Sequence, residues 1–225
     1  MTFSVVARCA ETGQLGIAIS SSSIAVGARC PWLRPGVGAV ASQNITLPSL
    51  GPQVLDLLAQ GMAASEALAE VVAGQPHSAY RQVTVIDNEG RTAYFSGAQT
   101  LGIHDAVSGE QCVAAGNMLA NAGVIKAMVR AFEQASGHLA DRLLAAMHAG
   151  QAHGGEAGPV HSAALVVVDD LLWPIVNLRV DWADEDPIGA LDQLWQAYRG
   201  QLQDYIDRAL NPHIAPGYAV SGDDR

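Results

Sequence analysis

The sequence has few positive charges. Of its 225 residues only 12 are lysine or arginine, and Lys126 is the single lysine. Aspartate and glutamate number 22, which gives a formal net charge of -10 at pH 7 with neutral histidines. Because nucleic-acid phosphates are neutralised by clustered lysine and arginine, this balance argues against a nucleic-acid partner. It also argues against binding to an anionic membrane surface.

Cysteines and long apolar runs are also scarce. The three cysteines, Cys9, Cys30 and Cys112, are far apart and form no CxxC motif. Because they are odd in number and scattered, we expect reduced cysteines in a cytoplasmic protein. No His/Asn pattern marks a catalytic thiol, so we interpret them as small buried core residues. The longest apolar run, residues 162–176, contains two aspartates and is too short to cross a bilayer. The start of the chain lacks the basic and apolar pattern of a signal peptide.

The remaining composition is typical of a folded protein. Apolar residues make up 49% of the chain and charged residues only 15%, which argues against disorder. A chain of 225 residues is long enough to bury a core of two or three layers. No repeat, low-complexity tract or linker divides it, so we predict one domain over residues 1–225.

The order of strand and helix patterns indicates an α+β fold. Three pairs of β-rich segments predict hairpins: TFSVVAR with QLGIAIS, RQVTVID with RTAYFSG, and HSAALVVVD with WPIVNLRVD. One pair of amphipathic helices follows the first group of strands, and another follows the second. Hairpins imply antiparallel sheets, and strands as apolar as ALVVV imply sheets covered on both faces. Two stacked sheets between helices, or one sheet between helix layers, satisfy this pattern.

A final helix is predicted over residues 187–210. Pro187 favours its first turn, and Asn211-Pro212 ends it. We expect the helix to cover a sheet of its own chain, and the alternative is a contact between copies in a homo-oligomer. The polar residues 211–225 are predicted to form a flexible tail. The apolar stripe of the helix consists of Leu191, Leu194, Trp195, Tyr198, Leu202, Tyr205 and Ile206.

Several sequence blocks resemble an uncharacterised bacterial family, DUF1028. They are TFSVVARCAETGQLGIAI, PWLRPGVGAVASQ, LGPQVLDLL, RQVTVIDNEGRTAYFSG, AAGNML and HSAALVVV, in the family's order. The resemblance spans residues 2–182 and implies a four-layer αββα sandwich of the N-terminal nucleophile (Ntn) hydrolase type. The chain departs from the family pattern at Cys9-Ala10, where Asp-Pro is usual, and at His161, where glutamine is usual. The loop HGGEAGPV also lacks the family's arginine and acidic pattern.

The resemblance implies a catalytic role for Thr2. Ntn hydrolases present threonine, serine or cysteine at the mature N-terminus, where the α-amine acts as general base for the side chain of the same residue. An α-amine titrates at about pH 8, which suits proton transfer near neutral pH. Removal of the initiator Met1, which is usual before a small residue, would uncover Thr2. From the residues alone, the simpler interpretation is that Thr2 is the β-branched first residue of a strand.

Four further candidate catalytic residues lie in or directly after the block PWLRPGVGAVASQ. Proteasome-like Ntn enzymes carry a lysine roughly thirty residues after the nucleophile, where its charge acts on the amine. The corresponding position here holds Arg34, which could supply the charge but not shuttle a proton. Its alternative is a solvated loop charge. The residues Ser42, Gln43 and Asn44 end a strand and could donate hydrogen bonds to an oxyanion, or form an ordinary polar turn.

Two more polar residues stand at predicted strand ends. Asn117 follows a glycine and is either a hydrogen-bond donor near the site or the N-cap of the next helix. Ser162 begins an apolar strand and could bind the amine, or could be ordinary polarity at a sheet edge. The sequence alone leaves both alternatives open.

A short stretch rich in histidine suggests a different chemistry. His148, His153, Glu156 and His161 are residue types that ligate zinc or another divalent metal. Their spacing matches no HExxH or similar motif, so a solvated loop is the better interpretation. We therefore expect no metal and no cofactor.

The leading hypothesis is a hydrolase that acts on the C–N bond of a small amide, with Thr2 as nucleophile. In this hypothesis Arg34 tunes the charge and the turn 42–44 stabilises the oxyanion. The alternative is a non-catalytic αββα protein that binds a small metabolite or assembles with other subunits. The sequence does not identify the substrate.

Overall fold

The strands and helices follow the order that the hairpin and helix patterns predict. The computed structural model describes residues 1–218 and 220–222. Within them the strands are β1 (Thr2–Arg8), β2 (Leu15–Ser21), β3 (Pro31–Arg34), β4 (Gly38–Asn44), β5 (Arg81–Asp87), β6 (Thr92–Ser96), β7 (Asp105–Gly109), β8 (Cys112–Asn117), β9 (Ser162–Val168) and β10 (Val176–Val180). The helices are α1 (Leu50–Ala59), α2 (Ala64–Ala73), α3 (Val124–Gln134), α4 (Leu139–Ala152), α5 (Pro187–Arg199) and α6 (Leu202–Leu210).

The strands form two antiparallel sheets. The larger sheet has the order β10-β9-β2-β1-β8-β7, and the smaller sheet has the order β3-β4-β5-β6. The three predicted hairpins are confirmed as the pairs β1/β2, β5/β6 and β9/β10. Of the two arrangements that the sequence left open, the structure adopts the one with two sheets.

Three apolar clusters separate four layers. One lies between the larger sheet and α3, α4 and α5, and it includes Phe3, Phe132 and Trp195. The second lies between the two sheets, with Ile17 and Ile86 facing each other's sheet. The third joins the smaller sheet to α1 and α2. Because both sheets are covered on both faces, the predicted four-layer αββα sandwich is confirmed.

Alternation along β1 decides which side chains enter the layer between the sheets. Phe3 and Val5 point into the helix-side cluster, and Val6 points towards the smaller sheet. With a side-chain period of two, Thr2 and Ser4 share the face of Val6. The first residue of a central strand therefore lies at one end of the layer between the sheets.

The C-terminal helix differs from the prediction. Instead of one helix over 187–210, α5 ends at Arg199 and α6 begins at Leu202. Gly200 occupies the C-cap of α5, and a glycine costs about 1 kcal/mol relative to alanine inside a helix. The prediction that this segment covers its own sheet agrees with the buried positions of Leu191 and Trp195 in the helix-side cluster.

The predicted flexible tail lies partly outside the described residues. Within residues 211–218, the chain folds back on α6. The Arg208 guanidinium donates to the carbonyl of Pro216 at 2.9 Å and lies 4.1 Å above the ring of Tyr218. Across residues 1–218 and 220–222, no helix combines the length and apolarity needed to cross a bilayer.

Candidate active site

Thr2 is the first residue of β1, which lies between strands β2 and β8 in the larger sheet. In the strand registers it pairs with Ser21 of β2 on one side and with Asn117 of β8 on the other. The residue is only 5% exposed while Met1 precedes it. The site at this end of the sandwich is therefore assembled from three strands of the larger sheet.

Two hydroxyl groups converge on the Met1 carbonyl oxygen. The Thr2 and Ser21 hydroxyls each donate to this oxygen at 2.5 Å. The Ser21 oxygen lies 3.2 Å from the Thr2 oxygen and accepts a hydrogen bond from the Ser23 amide at 3.1 Å. Because Ser21 receives one proton from the backbone, its own proton is directed at the carbonyl. The arrangement binds an acyl oxygen immediately in front of Thr2.

A buried chain of amides lies behind these hydroxyls and joins the two sheets. The Ser4 hydroxyl donates to Gln43 at 2.7 Å, and the Gln43 amide donates to the Gln82 carbonyl oxygen at 2.8 Å. The Asn117 amide donates to the same Gln82 oxygen at 3.1 Å. Gln82 in turn donates to the Gly116 carbonyl at 3.1 Å. This network fixes the register of the sheets beneath Thr2, since every link would leave a buried polar group unpaired if it broke.

One atom of this network has no partner. The Asn117 side-chain oxygen is buried and accepts no hydrogen bond within the described residues. Asn117 is the strand neighbour of Thr2, so an acceptor is available beside the nucleophile candidate. Such an orphaned acceptor is unusual in a native core and marks a place where a proton donor fits.

Glu156 closes the end of the site. The residue is only 5% exposed, and it lies on the loop that follows α4. Gly154 and Gly155 both adopt positive φ angles, 109° and 57°, which turn this loop back towards β8 without a Cβ clash. Glu156 then forms a β-bridge with Leu119.

The Glu156 carboxyl is poorly satisfied. One of its oxygens accepts a long hydrogen bond of 3.3 Å from the Ser22 amide, and the other oxygen has no partner within the described part of the chain. Burial raises the pKa of Glu156 to about 8, against the opposing effect of the N-terminal ammonium of Met1. A buried carboxyl with a raised pKa beside a cluster of polar side chains is a frequent property of functional sites.

Arg34 lies away from Thr2. Its guanidinium binds Asp56 of α1 at 2.7 Å on the outer side of the smaller sheet. Arg34 pairs with Gly38 at the start of β4, whereas Gln43, near the other end of β4, contacts β1. Gly38 and Gln43 are five positions apart along β4, which is about 16 Å. The structure does not bring Arg34 together with the site.

The three residues of the predicted oxyanion turn point in different directions. Gln43 belongs to the buried network. The Ser42 hydroxyl faces the opposite side of β4 and binds the Leu47 carbonyl at 3.2 Å, and its amide donates to Cys30. Asn44 adopts a φ of 71° and ties two loops together through the Tyr80 carbonyl at 2.6 Å and the Leu101 amide.

Ser162 shapes a loop next to the site. It pairs with Ser21 in the register of β2 and β9, two strands away from β1. Its hydroxyl donates to the Ser23 carbonyl at 2.6 Å and accepts from the Val26 amide at 3.2 Å. Ser162 therefore positions the turn that carries the Ser23 amide, and Ser23 in turn orients Ser21.

The histidine-rich stretch does not converge on one point. His148 pairs with Asp192 at 3.1 Å, and His161 contacts the Ala183 carbonyl and stacks on Trp182 at 4.3 Å. His153 contacts its own helix. Within residues 1–218 and 220–222, no cluster of three or more metal-ligating side chains is present.

The three cysteines are free and buried. Burial raises the pKa of Cys30 to about 11 and that of Cys112 to about 12. Both thiols are therefore protonated and poorly nucleophilic at neutral pH. This agrees with the interpretation of the cysteines as small core residues.

The sequence alone did not single out four residues of the site. They are Ser4, Ser21, Gln82 and Glu156, which the sequence offered only as a possible metal ligand. The signal available for Ser4 was its period-two relation to Thr2 on the predicted strand. For Gln82 it was a glutamine inside an otherwise apolar strand, a polar residue that needs buried partners.

Comparisons with known proteins define the family. Residues 2–191 match the model described as "Family of unknown function (DUF1028)". The crystal structure of protein SPO2555 from Silicibacter pomeroyi, assigned to the same family model, is 34% identical with a TM-score of 0.85. That match covers 91% of this chain and 89% of the other. A search of curated protein sequences finds none with significant similarity.

Two solved structures of Anbu are more distant. Anbu (ancestral beta-subunit) from Yersinia bercovieri is 12% identical with a TM-score of 0.40, and the match covers 91% of this chain and 97% of that chain. The Anbu (Gly-1) mutant from Hyphomicrobium sp. strain MC1 is 15% identical with a TM-score of 0.41, and it covers 92% and 100%. These scores are too low to support a structural argument. On the family model and the Silicibacter pomeroyi structure, the chain belongs to the DUF1028 family.

Proposed function

We propose that the protein is an Ntn-type hydrolase that cleaves the C–N bond of a small amide. The observation that carries the proposal is the pair of Thr2 and Ser21 hydroxyls on the Met1 carbonyl oxygen. An acyl group at that position is held beside a threonine hydroxyl by a second donor, as acyl transfer requires. The proposal requires removal of Met1, because the retained residue acylates the amine of Thr2.

In the proposed mechanism Thr2 supplies both nucleophile and base. With Met1 removed, the Thr2 amine takes the proton of its own hydroxyl while the hydroxyl oxygen attacks the amide carbon. The Ser21 hydroxyl stabilises the negative charge that develops on the carbonyl oxygen. The C–N bond then breaks, the leaving nitrogen takes the proton from the Thr2 ammonium, and water hydrolyses the resulting ester.

The remaining site residues have positioning roles in this proposal. Gln43, Gln82 and Asn117 hold β1 and β8 against the smaller sheet, so that the Thr2 hydroxyl stays aligned with Ser21. Ser162 and Asn44 fix the loops on either side. Neither Arg34 nor Ser42 has a role in the mechanism, because their side chains lie on the outer face of the smaller sheet.

Substitutions at Thr2 test the proposal directly. On a panel of small amides, Thr2→Ala is expected to abolish hydrolysis, and Thr2→Ser, which keeps a hydroxyl, is expected to retain measurable activity. Unfolding curves of both variants serve as the control for intact folding. Equal hydrolysis by Thr2→Ala and the parent protein would remove Thr2 from the mechanism.

A second candidate function is non-catalytic binding of an apolar metabolite. It is favoured by an open hollow of about 380 Å³ between α2 and β6, lined mainly by apolar side chains that include Leu68, Val72 and Phe95. In that case Thr2→Ala leaves ligand binding intact, and a large side chain in place of Ala69 on the wall of the hollow removes it. Thermal-shift screening of both variants against apolar metabolites separates the two functions.

A further inference from the structure

The outer side of β6 has free backbone groups. β6 ends the order of the smaller sheet, and among the described residues no strand pairs with its outer side. Before β6, the Asp87 amide of β5 donates to the Arg91 carbonyl at 3.0 Å. After β6, the Gly97 amide donates to the Arg81 carbonyl of β5 at 2.9 Å. Since bonding to the neighbouring strand alternates along an antiparallel pair, the odd-numbered residues of β6 bond to β5, whereas Thr92, Tyr94 and Ser96 point their backbone groups outward.

The other outer strands of the two sheets are protected against pairing with another chain. β3 begins with Pro31 and contains Arg34. β10 contains Arg179, and β7 contains Asp105. Charged residues and proline are means by which natural sheets prevent pairing at their edges. β6 has the sequence TAYFS, which contains neither, so it is the outer strand of the described sheets that lacks this protection.

An uncharged hollow continues the surface of β6 onto α2. It has a volume of about 380 Å³, and every described residue that lines it is uncharged. Tyr94, in the middle of β6, is 50% exposed. Because the chain has a net charge of -10, two copies repel each other, and this repulsion is weakest where uncharged surfaces meet. This region, the β6 edge surface, consists of β6 together with Leu68, Ala69, Val72 and Ala73 of α2.

The β6 edge surface is self-complementary about a two-fold axis through Tyr94. In an antiparallel pair of two β6 strands in this register, Tyr94 lies opposite itself, and Thr92 lies opposite Ser96. These are the residues with free backbone groups, so each opposed pair exchanges both N–H···O bonds. On the face that packs against α2, Ala93 lies opposite Phe95, which places a small side chain beside a large one. A two-fold dimer requires such a match of a surface with itself.

We infer that the β6 edge surface is the interface of a homodimer, in which β6 pairs antiparallel with β6 of a second copy and the smaller sheet continues across both copies. In this dimer α2 lies beside α2 of the second copy and covers the hollow, so the hollow does not serve as a site for an apolar metabolite. The inference goes beyond the proposed function, because no part of it uses Thr2. A strand of five residues is about 17 Å long. Since the interface is correspondingly small, we expect a dimer that dissociates at micromolar concentrations.

Sedimentation equilibrium of the full chain measures the association. Ala69→Glu is the test variant, because Ala69 is exposed and lies near the middle of α2, so that two introduced carboxylates approach each other beside the axis. Ala59→Glu is the matched control, since it makes the same change at an exposed position of α1. Tyr94→Arg, which places two like charges at the axis itself, is a second test variant. Urea unfolding curves of all three variants measure whether they are folded.

Amide hydrogen exchange, measured by NMR, identifies the surface through which the copies associate. In a monomer, β5 protects the inward amides of Ala93 and Phe95, and the outward amides of β6 exchange with solvent. Pairing of two β6 strands protects the outward amides as well. We therefore expect both sets of amides to be protected in the parent protein and in Ala59→Glu, and only the inward set in Ala69→Glu.

The expected result is a dimer of the parent protein and of Ala59→Glu, with the dissociation constant raised at least about 10-fold in Ala69→Glu and Tyr94→Arg by the repulsion of like charges. A parent protein that stays monomeric throughout the micromolar range overturns the inference. A dimer whose outward β6 amides exchange freely associates through another surface, which overturns it as well. Binding of an apolar metabolite in the hollow of a monomeric parent protein assigns the surface to a ligand instead.

Discussion

Replacing Glu156 by glutamine should change how the stability of the protein depends on pH. In the folded protein the buried carboxyl keeps its proton because burial raises the pKa of Glu156 to about 8. In the unfolded chain the same carboxyl has an ordinary pKa of 4.5. Between these values the unfolded state binds fewer protons than the folded state. The free energy of unfolding contributed by Glu156 therefore falls as the pH rises.

The magnitude follows from the pKa difference. Each pH unit between 4.5 and about 8 lowers the contribution of Glu156 by about 1.4 kcal/mol. Over the whole interval the loss is on the order of 5 kcal/mol. The contribution is complete below pH 4.5, and above pH 8 the difference from the glutamine variant is constant. Glutamine does not titrate, so Glu156→Gln is expected to become the more stable protein towards pH 8.

Urea unfolding followed by tryptophan fluorescence measures this effect at pH 5, 6, 7 and 8. All other titrating groups are common to both proteins, so the difference in unfolding free energy isolates Glu156. Glu70→Gln, a change at an exposed glutamate of α2, controls for exchanging a carboxylate for an amide. A difference between the parent protein and Glu156→Gln that stays constant from pH 5 to 8 would refute the proposed burial of this carboxyl.

Three further predictions concern the network and the site. Gln82→Leu should lower the free energy of unfolding, measured by urea titration, by about 2–4 kcal/mol, because it leaves two buried amide donors unpaired. The exposed control Gln60→Leu should change the same free energy by less than about 0.5 kcal/mol. Ser21→Ala should lower kcat about 100-fold in an amidase assay through loss of an oxyanion donor, and an unchanged kcat would contradict that role. Arg34→Gln should leave kcat/KM unchanged, and a large loss would place its charge in the mechanism after all.

The fold was largely predictable because its signals are local. Each hairpin contains its own turn and two β-rich runs, and each helix of the two pairs shows an apolar period and a terminal glycine. Strand β3 was missed because it has four residues and begins with Pro31, which is too short for a periodic pattern. Gly200 indicated the break between α5 and α6. The sequence nevertheless predicted one helix, because the apolar stripe continues through both helices.

The site was less predictable because its contacts are distant in sequence. Ser4 and Gln43 are 39 positions apart, and Gln82 and Asn117 are 35 apart. Which strands become neighbours decides such contacts, and no local pattern contains that information. Glu156 reaches Leu119, just beyond the end of β8, because two glycines turn its loop back along the chain.

Intact-protein mass spectrometry of the purified, active protein tests the central claim most directly. The account predicts a mass lower than the full sequence by one methionine residue, with Thr2 as the first residue of the N-terminal peptide. An amide-hydrolysing protein that still carries Met1 would contradict the account, because its Thr2 nitrogen is then an amide and cannot take the proton of the attacking hydroxyl.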